Sequence, residues 1–208
     1  MMNTSLRTIL LFSVRIVVYS GLMVLLNQIF LYDATHPTST GKFGEVSATE
    51  IAQEAILFLL GLVFLVTGRF NKAISPITKL ISVFFFMAFI REFNNQIDFW
   101  FYLVLPLIVL FVWMIFQYRK SLISSIIELL KIPETAYLVT GFLVTFVFSR
   151  FFGRTKLWEA ILETDYNRWG KNAAEEGIEL LGYSLFLIAG IEILLAVIKS
   201  SKKQTSTD

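Results

Sequence analysis

Acidic side chains lie inside three of the most apolar stretches of this sequence, together with one arginine. A charge at the centre of a bilayer costs about 2.5–3.5 kcal/mol on insertion scales, so such a residue needs a partner or a function. Helical spacing brings several of them onto shared faces, because positions three, four or seven residues apart are neighbours on a helix. From this spacing we expect a polar ligand-binding site that contains Glu50, Glu54, Arg91, Glu92, Asn95, Glu176, Glu179 and Tyr183.

Ion or proton binding is the first chemistry that these residue types fit. Carboxylate and amide oxygens are the ligands that hard cations such as Ca²⁺, Mg²⁺ and Mn²⁺ prefer. A buried carboxylate can alternatively carry a proton. The excess of acids over bases favours this chemistry over catalysis. A divalent cation at the carboxylates would be held by Glu54, Glu92, Glu176 and Glu179.

Catalysis and structural pairing are the two alternatives. In a catalytic pocket one carboxyl group would act as acid or base, while Arg91 would hold the phosphate or carboxylate of a head group. In a structural network Arg91 would instead pair with one or more glutamates and lock the helices together, as polar groups in lipid often do. The residue types alone leave both alternatives open.

The cysteine and histidine counts exclude several other kinds of site. The chain has no cysteine, which excludes disulfides, thiolate metal sites and cysteine nucleophiles. Its one histidine, His36, excludes sites that need two imidazoles, which covers most zinc and haem chemistry. The sequence contains no glycine-rich phosphate-binding motif, so we expect no nucleotide cofactor. The formal net charge of +2 is too small and too scattered to indicate a nucleic-acid partner.

The overall composition is that of an integral membrane protein. Of the 208 residues, 56% are hydrophobic and only 16% are charged. A soluble domain carries about 25% charged residues. The mean hydropathy is +0.69, and phenylalanine alone contributes 21 residues. Membrane lipids are therefore expected partners of this chain.

The elements that would position the charged residues are transmembrane helices, each of which needs about 20 mostly apolar residues. An amphipathic segment at 153–170 has aromatic residues at helical spacing, and we expect it to lie in the membrane interface before the last span. We therefore predict an all-α fold in which residues 1–208 form a single transmembrane domain, a six-helix bundle. The predicted spans are 8–32, 49–68, 77–95, 99–118, 134–152 and 174–198.

Basic residues in the links between spans predict the orientation. The link after the second span contains Arg69, Lys72 and Lys79, and the link after the fourth contains Arg119 and Lys120. Because basic loops stay in the cytoplasm, we predict a plasma (inner) membrane protein with both termini cytoplasmic. At about 1.5 Å per residue, the carboxylates then share the outer third of the bilayer.

One basic and one acidic residue lie in the opposite, inner half of the predicted bundle. Arg15 and Glu192 each lie about one to two helical turns inside the first and the sixth span. We predict that they form a structural ion pair that joins these two spans. Snorkelling of each side chain towards the inner head groups is the alternative.

These observations predict a small integral membrane protein that binds or transports a cation or proton at its carboxylate-rich site. The alternatives are a membrane enzyme that acts on a lipid or isoprenoid head group at the outer leaflet, and a non-catalytic structural subunit of a membrane complex. The inner halves of the spans are mostly apolar, with Thr67, Ser82 and Ser184 as sparse polar exceptions. This scarcity favours a binding site over a path through the membrane. An oligomer is compatible with each of these functions.

Overall fold

The computed structural model describes residues 4–38, 41–43 and 47–205. Over these ranges the protein is 86% helical and forms no strand, which confirms the predicted all-α class. Five helices are long and apolar enough to cross a membrane, and they support a membrane location. Their bounds are Ser5–Thr35, Ala48–Phe70, Trp100–Tyr118, Thr135–Phe152 and Arg168–Lys202.

Eight helices follow one another in the described ranges, and we number them in chain order. The sixth contains a wider, π-helical segment at Leu143–Phe148. A short 3₁₀ turn at Phe93–Asn95 follows the third helix directly. The helices are α1 Thr4–Thr35, α2 Ala48–Phe70, α3 Ser75–Glu92, α4 Trp100–Tyr118, α5 Leu122–Leu130, α6 Thr135–Phe152, α7 Thr155–Leu162 and α8 Arg168–Thr205.

The predicted third span is the one that does not meet the requirements for crossing a membrane. Helix α3 is 18 residues long and ends at Glu92, before the predicted end. Lys79 near its start and the charged residues at its end leave only residues 80–90 as a largely apolar run. That run extends about 16 Å, roughly half of the hydrocarbon thickness of a bilayer. Five of the six predicted spans are therefore supported, and a bundle of six spans is not confirmed.

Helix α2 forms the centre of the fold and packs against α3 and α8. Its buried face contains Leu57, Leu60 and Phe64, which are almost completely enclosed. Inside this core the Ser82 hydroxyl of α3 donates a hydrogen bond to the carbonyl oxygen of Gly61 at 2.7 Å. Lipid tails are as apolar as leucine, so close packing and internal hydrogen bonds stabilise these helix contacts more than transfer out of water does.

A small residue lets α6 and α8 approach each other closely. A Cβ atom on Gly182 would lie 2.0 Å from the Oγ1 atom of Thr145, which lies in the π-helical segment of α6. Glycine at helix contacts in membranes commonly serves this purpose. The contact places the end of α6, including Arg150, beside the first turns of α8.

Helices α1 and α4 lie at the periphery, and most of their apolar side chains are exposed. Helix α1 is attached to the bundle near its end by Asp33, which is buried. The Asp33 carboxylate accepts hydrogen bonds from the backbone N–H groups of Ala48 and Thr49 at 2.9 and 2.6 Å. Together with the Ser47 hydroxyl, it satisfies N–H groups in the first turn of α2 that have no partner within the helix.

The amphipathic helix before the last span is present, but it is shorter than predicted. Helix α7 ends at Leu162, and Trp169 belongs to α8 rather than to the amphipathic helix. The chain leaves the helix at Glu163, whose φ of 46° is incompatible with a continuing right-handed helix. The Trp158 indole N–H donates to the carbonyl oxygen of Phe152 at 2.6 Å and ties α7 to the end of α6.

The helices alternate in direction, so that α2, α4 and α8 begin at the end of the bundle where α1, α3 and α6 finish. We call this the glutamate end. We call the other end, where α5 lies, the basic end. Which of the two faces the cytoplasm stays a prediction from the distribution of basic residues. The predicted acidic site residues at the glutamate end are Glu50, Glu54, Glu92, Glu176 and Glu179.

Candidate functional site

Charged and amide side chains from α2, α3, α6 and α8 meet at the glutamate end. Hydrogen bonds and ion pairs connect residues that are far apart in the sequence. Seven of the eight predicted site residues belong to this group, and four further residues join them. We call the following set the glutamate cluster: Glu50, Gln53, Glu54, Arg91, Glu92, Arg150, Lys171, Glu175, Glu176, Glu179 and Tyr183.

Arg150 is the principal basic residue of the cluster, and the sequence analysis did not identify it. Its guanidinium binds Glu179 at 2.6 Å and Glu175 at 3.1 Å, which joins the end of α6 to α8. Lys171 lies 3.5 Å from the other Glu175 oxygen. Arg150 lies within the predicted fifth span, at its last turn. A lone basic residue at that position was the available signal.

Arg91 pairs with its neighbour in sequence rather than with a glutamate of another helix. Its guanidinium lies 2.6 Å from Glu92, and both side chains are long enough to bridge the 100° that separates adjacent helical positions. The Tyr183 hydroxyl, which is buried on α8, donates to the same Glu92 oxygen at 3.5 Å. This weak contact joins α3 to α8, so Glu92 is the member of the pair that reaches the cluster interior.

Gln53 joins α2 to α8 and was likewise not predicted. Its side-chain amide donates to the Glu176 carboxylate at 3.0 Å and to the Glu176 backbone carbonyl at 3.3 Å. The Gln53 side chain is buried, so these bonds are shielded from solvent. The signal in the sequence was the position of Gln53 between Glu50 and Glu54 on the same helix.

Glu54 differs from the other carboxylates of the cluster. The residue is only 7% exposed, and its Oε1 atom has no hydrogen-bond partner among the described residues. The charged groups that act on it are the carboxylates of Glu50 and Glu92, which repel rather than attract a negative charge. A buried carboxylate of this kind normally has a donor or a cation beside it. Among the described residues, Glu54 is therefore the member of the cluster whose buried oxygen has no donor.

Asn95 is the predicted site residue that is not part of the cluster as defined. Its backbone lies in the 3₁₀ turn after α3. Its side chain lies outside the part of the chain that the structure describes. The prediction that this amide contributes to the site therefore stays a prediction.

The predicted metal ligands do not gather around a single point. Among the described residues, no group of three or more acidic or histidine side chains is placed to hold a metal ion. Three of the four predicted ligands contact other groups: Glu92 meets Tyr183, Glu176 meets Gln53, and Glu179 meets Arg150. The cluster nevertheless contains six carboxylates and only three basic side chains, so it is formally acidic.

At the basic end Arg15 and Glu192 form an ion pair, as expected from the sequence. The Arg15 guanidinium lies 3.0 Å from one oxygen of Glu192, which is buried, and the pair joins α1 to α8. The Tyr19 hydroxyl donates to the other oxygen. Tyr19 was not predicted, although it lies one helical turn after Arg15 and therefore on the same face of α1.

The two polar regions are separated by an apolar layer. Leu60, Phe64 and Phe186 are among the buried side chains of the core between them. The polar residues of this layer bond to nearby backbone, with the Thr67 hydroxyl donating to its own helix and Ser184 doing the same. Within the described ranges, these hydroxyls do not connect the glutamate cluster to the basic end.

An apolar groove of about 500 Å³ lies between α3, α4, α5 and α6. Its lining includes Ile81, Phe111 and Phe142, and its closest approach to Arg91 along α3 is at Phe85. Arg91 lies six positions after Phe85, about 9 Å along the helix axis. An enzyme that held a lipid head group with Arg91 would need an acyl groove directly beside that residue, and this groove is not directly beside it. The enzyme alternative stays a prediction.

The chain matches no family model, no curated protein and no solved structure.

Proposed function

We propose that this protein binds a proton at the carboxyl group of Glu54, inside the glutamate cluster, and that this binding is the basis of its function in the membrane. The observation that supports the proposal is the surroundings of Glu54. One of its oxygens is buried and has no donor in the part of the chain that the structure describes, and the charged groups that act on it are negative.

Ionisation of Glu54 places a negative charge on a carboxyl group with a buried oxygen. Taking an ion out of water into a protein interior carries an effective penalty of several kcal/mol, on the order of the whole stability of a small domain. An opposite charge or a set of hydrogen-bond donors usually offsets this penalty. Among the described residues, Glu54 has neither on its buried oxygen, and repulsion from Glu50 and Glu92 adds to the cost. A bound proton removes the charge and with it the penalty.

A proton fits the site better than a divalent cation. A dehydrated Ca²⁺ or Mg²⁺ requires six or more oxygen ligands, or several waters in their place. The described carboxylates do not provide three converging ligands. A proton needs only one carboxylate oxygen, and the resulting carboxyl group is uncharged.

The geometry favours binding over conduction through a fixed channel. The core between the two ends is apolar, and its hydroxyl groups are bonded to backbone carbonyls. Transport would therefore require a change in helix packing that exposes Glu54 to the opposite side. We expect α3 to be the helix that moves, because its apolar run is short and the charge of Glu92 at its end acts on Glu54.

A purely structural network is the second candidate, and a specific observation favours it. Arg150, Gln53 and Tyr183 connect three pairs of helices and already occupy most of the cluster carboxylates. In that case the cluster would hold the bundle together and bind nothing. Glu54 distinguishes the two candidates. In a purely structural network each buried carboxylate would have a hydrogen-bond donor, whereas the buried Glu54 oxygen has none among the described residues.

The test is chemical labelling with a hydrophobic carbodiimide, which reacts with protonated carboxyl groups in apolar surroundings. The purified protein in detergent is treated at neutral pH, digested, and mapped by mass spectrometry. We expect modification at Glu54, and none at that peptide in Glu54→Gln. The matched control is Glu159→Gln, which removes an exposed carboxylate of α7 at the same end and leaves the labelling of Glu54 unchanged.

Labelling in the presence of added cations identifies the bound species. If the occupant is a proton, NaCl and CaCl₂ leave the labelling rate unchanged at constant pH and ionic strength. Strong protection by one of these salts would assign a metal cation instead. Absence of labelling at Glu54 over the whole pH range in which the protein stays folded would refute the proposal and favour the structural network.

A further inference from the structure

The buried carboxyl group of Glu54 needs a route by which a proton reaches it. The residue is only 7% exposed, and its Oε1 atom is enclosed by protein. Glu54 lies six positions after Ala48, the first residue of α2, which is about 9 Å along the helix axis. In the other direction, Leu57 and Leu60 of α2 belong to the apolar core. A proton is therefore expected to arrive from the glutamate end.

Glu50 lies between Glu54 and that end of the bundle. It precedes Glu54 by one helical turn, and residues four positions apart share a helix face with their Cβ atoms about 5–6 Å apart. Rotation of the two side chains between their staggered conformers can therefore bring the carboxyl groups within hydrogen-bond distance. Glu50 is half-buried, so water reaches part of it. Of the two carboxylates whose charge acts on Glu54, Glu50 has the larger effect.

Other titratable and charged groups lie at the same end, on the helices around α2. Glu92, the second carboxylate whose charge acts on Glu54, lies 2.6 Å from Arg91, so proton uptake there requires the loss of this ion pair. Glu176 accepts the hydrogen bond of the Gln53 amide at 3.0 Å. A route through either carboxylate breaks an existing contact, and neither shares a helix with Glu54. The groups are Asp33 of α1, Arg91 and Glu92 of α3, Arg150 of α6, and Lys171, Glu175, Glu176, Glu179 and Tyr183 of α8.

A structural role at the start of α2 is also available to Glu50. Ser47 is the N-cap residue of this helix, and its hydroxyl accepts a hydrogen bond from the Glu50 backbone N–H at 3.2 Å. Serine followed three residues later by glutamate is the capping-box pattern, in which glutamine serves as well as glutamate. A glutamine amide, however, has no carboxyl group that could take up and release a proton. Glu50→Gln therefore separates proton transfer from helix capping.

We propose that Glu50 is the residue through which protons enter and leave the Glu54 site. A hydronium ion or a buffer acid at the glutamate end protonates the Glu50 carboxylate, and water or the buffer base is released. The Glu50 O–H bond then breaks as an O–H bond forms on a Glu54 oxygen, which leaves Glu50 ionised again. Release follows the same steps in reverse. This inference rests on the proposed proton binding at Glu54.

The test follows the protonated-acid infrared band of Glu54 after a rapid pH jump, in the full-length protein reconstituted in lipid. A group that carries protons in both directions accelerates uptake and release alike. We expect Glu50→Gln to slow both the rise of the band after acidification and its decay after alkalinisation at least about tenfold. Glu159→Gln is the control and leaves both rates unchanged, because Glu159 is an exposed carboxylate of α7 at the same end.

The rate of proton release is the decisive readout. If Glu50 acts only through its negative charge, Glu50→Gln weakens proton binding at Glu54, so uptake slows while release is unchanged or faster. That result would overturn the inference, as would native rates in both directions.

Two further variants support the comparison. Glu50→Asp restores a carboxyl group one methylene farther from Glu54, and we expect it to recover part of both rates relative to Glu50→Gln. Recovery of neither rate would contradict transfer through the carboxyl group. Glu50→Ala removes the same carboxyl group and takes the place of Glu50→Gln if that variant does not fold.

Failure of this inference is distinguishable from failure of the proton site itself. A native spectrum without a protonated-acid band that Glu54→Gln removes would refute proton binding at Glu54, and the role of Glu50 with it. A native band that depends on Glu54, with proton release that is not slowed in Glu50→Gln, would refute the role of Glu50 alone.

Discussion

Replacing Arg150 by methionine removes the basic group that joins α6 to α8. The change leaves Glu179, whose side chain is 10% exposed, without its partner at 2.6 Å. Glu175 is less affected, because Lys171 still lies 3.5 Å from it. Breaking a buried pair costs about 3–5 kcal/mol, whereas an exposed pair contributes about 0–1 kcal/mol. The Arg150 side chain is 53% exposed, so we expect a loss between these limits, of about 2 kcal/mol in the free energy of unfolding.

The assay is equilibrium unfolding in detergent micelles, followed by circular dichroism, as a double-mutant cycle. Glu179→Gln removes the buried charge that Arg150→Met leaves uncompensated. The double variant should therefore be more stable than Arg150→Met alone, with a coupling energy of about 1–2 kcal/mol. Arg154→Met is the control, because Arg154 is an exposed arginine near the same end.

Two results would refute this reasoning. If Arg150→Met and Arg154→Met have the same stability, the ion pairs of Arg150 do not stabilise the fold. If adding Glu179→Gln lowers the stability of Arg150→Met further by its full single-variant amount, the two side chains are not coupled. The close approach of α6 and α8 at the glutamate end would then need a different explanation.

Three further substitutions test other contacts in the same unfolding assay. Gly182→Val places atoms where the Thr145 side chain lies, and we expect a loss of about 1–3 kcal/mol; an unchanged stability would contradict the close contact. Asp33→Ala leaves two N–H groups of α2 unsatisfied, so we expect a loss of about 1–3 kcal/mol and faster hydrogen exchange in its first turn. Tyr19→Phe removes the hydrogen bond to Glu192, and we expect a loss of about 1–2 kcal/mol, whereas no change would show that the bond is dispensable.

The helices could be predicted from the sequence because apolar runs of sufficient length have few other structures available in a membrane. The bounds of α2 and α4 differ from the predicted ones by no more than two residues. The predicted helix bounds are least accurate where the conformation of a single residue ends a helix. The positive φ of Glu163 ends α7 early, and no hydrophobic pattern encodes that angle.

The acidic members of the glutamate cluster could be predicted because a charge in an apolar run is conspicuous and its depth follows from helical rise. Their partners could not be predicted in the same way. Arg150 of α6 contacts Glu179 of α8, and that contact depends on the close approach of the two helices at Gly182. Gln53 is an uncharged residue, so charge patterning did not identify it. Periodicity predicts which residues share a face, but not which faces meet.

The apolar composition of the spans also concealed a polar cavity at the basic end, which lies between α1, the link from α5 to α6 and the last turns of α8. Glu134 appeared in the sequence only as a favourable residue in the first turn of a helix. The structure places it beside Arg15 of α1, from which it is separated by more than half of the chain.

The most direct measurement of the central claim is infrared difference spectroscopy of the protein in lipid at varied pH. A protonated carboxylic acid has a carbonyl band that is separate from the bands of carboxylates and amides. We predict such a band at neutral pH in the native protein, its loss in Glu54→Gln, and its persistence in Glu159→Gln. A native spectrum without a protonated-acid band, or a band that remains in Glu54→Gln, would contradict it.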